Sequence, residues 1–167
     1  VHSHFSLLDG LSKCNQIASR VEEIQSPYCA ITDHGNIASS INFTQEMKKK
    51  DIQPILGCEL YISSEHATNQ TPDNSKLQHL PVIAKNDAGW KRLIKITSTS
   101  NLPEHFYHKP RLSLDQLGNL LDGNIMAFSG HLGSHIATSI LQGTEKPVDG
   151  WKLRGTLLAD WFKNTFG

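Results

Sequence analysis

Nine histidines stand in this chain of 167 residues, and several lie where imidazole and carboxylate groups can gather around a cation. Asp33 and His34 directly follow the short apolar run at 28–32 (YCAIT). Glu59 sits late in a second apolar run at 54–62 (PILGCELYI), where an unpaired carboxylate is costly to bury. His131 follows the run at 124–128 (NIMAF), and His2 opens the chain with Asp9 just beyond it. Histidine with aspartate and glutamate, and no thiolate, suits zinc, manganese or iron. Each residue also has a plainer reading. Asp33-His34-Gly35-Asn36 is turn-forming in composition, and a single histidine after a strand is often only a surface residue. Glu59 resists that reading because of its apolar surroundings. His66, His105, His108 and His135 show no convergent placement and read as surface residues.

These groups need elements to hold them, and the dominant rhythm is strand then helix. Ile17, Val21 and Ile24 lie at i, i+4 and i+7, the stripe of an amphipathic helix. Residues 37–50 read as a second helix, with Lys48-Lys49-Lys50 suiting its negative C-terminal end. The run at 80–84 (LPVIA) is a third strand. Asp87 can cap a helix running to about Thr97, whose Lys91, Arg92 and Lys95 read as a solvated face. Short helices follow at 113–121 and 133–141, the latter closed by Gly143, and a last helix spans 151–163. The polar stretch 63–76 reads as a surface loop. The alternation predicts an α/β fold with a largely parallel sheet. Such folds bind ligands at the C-terminal ends of their strands, where Asp33, His34, Glu59 and His131 all fall.

Composition excludes several classes. Sixteen Lys plus Arg balance sixteen Asp plus Glu, so the chain as a whole is not a basic nucleic-acid clamp. No apolar run approaches the roughly 18 residues that span a bilayer, and no signal peptide opens the chain. Three cysteines without a CxxC pair argue against a disulfide scaffold and fit a reducing cytosol. Phosphate loops of the GxxxxGK[ST] or GxGxxG type and the GxSxG nucleophile elbow are missing. The chain has no initiator methionine and reads as a piece of a longer or processed protein.

The motifs in order are more specific than any one of them. Val1-His2-Ser3-His4-Phe5-Ser6-Leu7-Leu8-Asp9-Gly10, Ile31-Thr32-Asp33-His34-Gly35-Asn36 and Pro54-Ile55-Leu56-Gly57-Cys58-Glu59 come first. His79-Leu80 leading to Ala84-Lys85-Asn86, Phe106-Tyr107 with Lys109-Pro110-Arg111, and Phe128-Ser129-Gly130 with Leu132-Gly133-Ser134 complete the series. Over nearly the whole chain they resemble the polymerase-and-histidinol-phosphatase (PHP) domain, in the version at the N-terminus of the bacterial replicative DNA polymerase III alpha subunit.

The resemblance implies a distorted, TIM-like (β/α)7 barrel, incomplete at both ends, with residues 1–167 as one partial PHP domain. It implies up to three divalent metal ions (zinc, manganese or iron) on His2, Asp9, His34, Glu59, His79 and His131. His34, Glu59 and His131 would form the catalytic set, and Asp33 would orient His34. The activity implied is metal-dependent phosphoester hydrolysis of the 3′–5′ exonuclease type, inside a cytoplasmic parent protein that synthesises DNA. Partners would be DNA, other replicase subunits and a proofreading exonuclease subunit, with no membrane. The alternatives are a standalone phosphoesterase similar to histidinol phosphatase and a non-catalytic scaffold for the proofreading subunit. Two departures bear on the site. His2 aligns with the second histidine of the family's His-x-His, leaving His4 as a substitute if strand alternation turns it the same way. His131 stands where the family usually has cysteine.

Overall fold

The computed structural model describes residues 1–142 and 146–166; Gly143, expected to close a helix, lies outside them. Four strands form the main path of one sheet: β1 (Tyr28–Ile31), β2 (Gln53–Ser63), β3 (Gln78–Ala84) and, numbered in chain order, β7 (Ile125–Ala127), in the order β1-β2-β3-β7. Three shorter strands precede β7. β4 (Phe106–Tyr107) and β5 (Lys109–Pro110) make a separate tight hairpin, and β6 (Leu112–Ser113) lies parallel to the end of β2. Six α-helices accompany the strands among the described residues: α1 (Cys14–Glu23), α2 (Ser40–Lys48), α3 (Asp87–Ser100), α4 (Leu114–Gly118), α5 (His135–Leu141) and α6 (Trp151–Phe166). The class is mixed α/β, and the sheet of the described residues does not close on itself.

The expectation of a largely parallel sheet needs correction. β1 runs parallel to β2, but β2–β3 and β3–β7 are antiparallel. The cause is the connection. Residues 64–77 hold only a three-residue 3-10 turn (Asp73–Ser75), and without a crossover helix the chain returns antiparallel. That polar loop is nonetheless built: the buried Asn74 side chain accepts from the Ser64 hydroxyl and the Glu65 N–H and donates to the His66 and Asn69 carbonyls.

Side-chain alternation sorts the sheet into two faces. Cys58, Leu60 and Ile62 of β2 and Leu80 and Val82 of β3 join Leu93, Ile96, Leu117 and Ile125 in a buried core beneath α3 and α4. The alternate positions, Glu59 and Tyr61 on β2 with His79 on β3, are left for the other face. A second core packs Ile17, Ala18 and Val21 of α1 against Ile31, Phe43 and Met47. Ile24, placed on the α1 stripe from its spacing, caps the helix and is exposed.

Helix starts follow side-chain chemistry. Asn86, one residue before the Asp87 anticipated as cap, accepts from Gly89 N–H at 2.9 Å and starts α3. Ser113 and Gln116 form a reciprocal capping box on α4. Gln142 supplies the left-handed residue after α5. On α3, Lys91 and Lys95 are exposed, whereas Arg92 pairs with Asp122 at 2.7 Å.

Candidate metal centre

Glu59 is the hub. Its carboxylate is almost fully buried, at 3% exposure, and four imidazoles surround it. His79 Nδ1 lies 2.6 Å and His131 Nε2 3.5 Å from Oε1, with His34 Nδ1 3.6 Å from the same oxygen; His2 Nε2 lies 3.2 Å from Oε2. The donor atoms form two groups that share Glu59, one of His2, His34 and Glu59 and the other of Glu59, His79 and His131. Burial alone would raise the Glu59 carboxyl. The His79 hydrogen bond, and the charges that His34 and His2 carry at the low pH where Glu59 titrates, outweigh it and hold the group down to about 2.

Each ligand-type residue arrives by a distinct route. His34 continues β1: Glu59 N–H donates to the Asp33 carbonyl and Gly35 N–H to the Glu59 carbonyl, fastening the turn to β2. His79 comes from the start of β3, which the antiparallel direction brings to the same end of the sheet as the C-terminus of β1. It stands directly across from Tyr61 in register, with the rings edge to face at 5.1 Å. His131 is delivered by the segment after β7, which docks along β3 through Phe128 N–H to Pro81 and His79 N–H to Gly133. Gly133 N–H donates to His131 Nδ1 at 2.9 Å, leaving Nε2 toward Glu59.

The opening segment holds His2 and Asp9 without being a regular strand. Val1 bonds on either side of Ile31 in parallel fashion, and the chain then turns at His4-Phe5. That turn removes the basis for His4 as a substitute ligand. His4 belongs to neither donor group, and its ring packs on Phe5. The loop returns tightly at Gly10, where a Cβ would lie 2.0 Å from the Ser3 carbonyl oxygen. Asp9 sits at the rim, its carboxylate 3.0 Å from His34 Nε2.

Asp33 does not orient His34 as anticipated. Its buried carboxylate instead accepts from Ser3 N–H at 2.6 Å and from the hydroxyls of Ser3, Ser6 and Ser39 at 2.8, 2.7 and 2.5 Å. Burial would push this carboxyl up, but the hydrogen bonds from Ser39, Ser3 and Ser6 leave it below the ordinary carboxylate range. Ser6 also receives His34 N–H at 3.1 Å and lies 3.4 Å from His2 Nδ1, so Asp33 acts on His2 through Ser6.

Three residues at the site carry no recognisable metal-ligand signal. Tyr61 stacks on His34 at 5.7 Å, and Ser3 and Ser6 bind Asp33. Tyr61 was open to inference, since it lies two residues after Glu59 and so shares its strand face. Among the histidines read as surface residues, His66 and His108 are exposed. His105 is buried, with Nδ1 2.8 Å from the Thr99 carbonyl and Nε2 3.1 Å from Gln116 Nε2. His135 is half-buried, and burial pushes it below the ordinary histidine value.

The donor set fits divalent cations. His34 Nδ1 is buried without a hydrogen-bond partner and faces Glu59, burial being the largest influence that lowers its proton affinity. An imidazole kept neutral offers a lone pair, and a depressed carboxyl stays anionic. A carboxylate shared by two groups of imidazoles, set at one end of an open α/β sheet, is an arrangement able to hold divalent cations.

The PHP domain family model matches residues 1–167, and the chain belongs to that family. Its relatives include the DNA polymerase III subunit alpha of Borreliella burgdorferi, 37% identical over 169 residues, covering 100% of this chain and 14% of that protein. The same-named subunits of Chlamydia pneumoniae and Deinococcus radiodurans are each 32% identical, covering 99% of this chain and 13% and 12% of theirs. The chain thus spans about one seventh of the length of these relatives or less. No helix of the described residues is long and apolar enough to cross a membrane.

Proposed function

We propose that this chain is the PHP domain of a replicative DNA polymerase III alpha subunit and that its centre hydrolyses phosphate esters with divalent metal ions. The observation that carries this reading is the Glu59 carboxylate shared by two histidine groups. His2, His34 and Glu59 would hold one ion and Glu59, His79 and His131 a second, with Asp9 beside His34 at the rim as a further ligand. Zinc, manganese or iron suits these donors. When bound, such ions lower the pKa of water to about 7 and neutralise charge on the attacking and leaving oxygens.

The chain's own residues supply the rest. Glu59 remains anionic and keeps the two groups within one carboxylate's width. Asp33, through Ser3 and Ser6, fixes the loop bearing His2 and Asp9. His34, Glu59 and His131 line the reacting face. The net reaction adds water across a P–O ester bond, releasing an alcohol and a phosphate, here at the 3′ end of a single strand. In the parent protein, which would transfer nucleotides to a primer in the cytoplasm, the partners would be DNA, other replicase subunits and a proofreading exonuclease subunit.

The test is metal analysis of the native protein together with its hydrolysis of a labelled single-stranded oligonucleotide. Bound zinc, manganese or iron and shortening from the 3′ end are expected, both lost with Glu59→Gln plus His131→Ala. A double variant with unchanged metal content and activity overturns the assignment.

A further inference from the structure

Beside the centre lies a cleft of about 160 Å³ bounded by Tyr61, His79, Tyr107, His108, Lys109 and Arg111. Its lining contains two permanent cations and no carboxylate, in a chain whose formal charge is zero. Lys109 is exposed, and its ammonium has no acidic partner within ion-pair distance among the described residues. It rests instead 4.5 Å over the Tyr61 ring. Tyr61 stacks in turn on His34, and His34 on His2 at 4.3 Å. Lys109 therefore caps a column of rings whose inner members face Glu59.

Arg111 sets the shape of this wall. It is 1% exposed, and its guanidinium donates to the carbonyls of Asn74, at 2.6 Å, and Tyr107. These bonds tie the β4–β5 hairpin to the 64–77 loop, so Arg111 is a positioning residue whose charge stays near the cleft. The hairpin turns through His108 in the left-handed region, φ +60°, a conformation that histidine adopts more readily than most residues. His108 is exposed there, its ring tilted against Tyr107 at 4.3 Å. A cation and an open ring at one rim are the two components by which proteins bind single-stranded nucleic acid, the first for a phosphate and the second for a base.

We propose that this cleft receives the phosphodiester next to the one that reacts, on Lys109, with the adjoining base against His108, so that the centre is built for the end of a single strand and not for a small phosphomonoester. The inference rests on the hydrolytic reading of the Glu59 centre but is tested without hydrolysis. Binding of a fluorescein-labelled dT6 oligonucleotide to the native protein is followed by anisotropy in EDTA, with inorganic phosphate as competitor. Lys109→Gln and His108→Asn, the latter keeping a residue tolerant of positive φ, are each expected to weaken dT6 at least fivefold. Millimolar phosphate is expected to compete poorly with dT6, and both variants should keep the native metal content before chelation. Unchanged dT6 affinity in both variants, no dT6 binding by the native protein, or loss of metal in Lys109→Gln would each overturn the cleft. If the native protein holds no metal and hydrolyses nothing while both variants still weaken dT6, the hydrolytic reading falls and the strand-binding cleft stands.

Discussion

Asp33 and His34, adjacent in the chain, serve opposite sides of the centre: the Asp33 carboxylate turns inward to Ser3, Ser6 and Ser39, while the His34 ring turns outward between Glu59 and Asp9. The anchoring carboxylate and the ligand-type imidazole are thereby separated at one turn. Asp33 makes the loop of residues 1–10 part of the folded structure, and His34 uses that loop to meet Asp9.

Removing this anchor has a signed pH dependence. The Asp33 carboxyl is held below its ordinary value in the folded chain, so its stabilisation is complete above the unfolded value of about 3.9 and fades as pH falls through the lower folded value. Asp33→Asn leaves buried hydroxyls short of an acceptor and should cost roughly 1–3 kcal/mol at pH 7. Urea denaturation at pH 7 and near pH 3 should show the gap between the two proteins shrinking at the lower pH. A constant gap would mean that the carboxylate's charge is irrelevant to the anchor.

The shared carboxylate makes the two donor groups separable by substitution. Glu59→Gln should weaken cation binding to both groups, whereas His2→Ala should affect one and His131→Ala the other, by about tenfold or more each. Calorimetric titration of manganese into the chelator-treated protein resolves this. Equal effects of His2→Ala and His131→Ala on every binding step would sink the two-group architecture.

Ser6→Ala tests whether Asp33 positions His2 through the Ser6 hydroxyl. Its hydroxyl donates to Asp33, accepts from His34 N–H and approaches His2 Nδ1. Ser6→Ala should lower stability by about 1 kcal/mol and reduce cation affinity at the His2 group about tenfold, leaving the His79–His131 group as it was. Loss of affinity at both groups alike would point to a general loosening of the fold instead.

What was legible in the sequence follows from local physics. Glu59 stood out because a carboxylate inside an apolar strand demands partners, and His34 because it follows a short strand. His79 carried no such signal. The rule that ligands gather at C-terminal strand ends assumes parallel strands, and β3 runs the other way, so its first residues, not its last, reach the centre. Only the resemblance marked it. His4 shows the converse, since alternation along a strand means nothing where the chain turns. Ser3 and Ser6 bind Asp33 across 30 and 27 positions, and no periodicity reports a partnership at that distance. The (β/α)7 expectation met an α/β chain whose described sheet is open.

His131 offers the most direct test of a cation at the Glu59 centre. Gly133 N–H donates to its Nδ1 at 2.9 Å, so in the neutral ring that nitrogen is the acceptor and the proton resides on Nε2, directed at Glu59. Donation of an Nε2 lone pair requires that proton to move to Nδ1, and the Gly133 bond must then break. Zinc titration of the metal-free protein should therefore shift the Gly133 amide in 1H–15N spectra and raise its hydrogen exchange rate, with saturation at the stoichiometry of the His79–His131 group. His131→Ala should already show the Gly133 amide unbonded and insensitive to zinc. A Gly133 amide unmoved by saturating zinc in the unsubstituted protein would remove His131 from the ligand set and leave Glu59 and His79 to be completed from elsewhere.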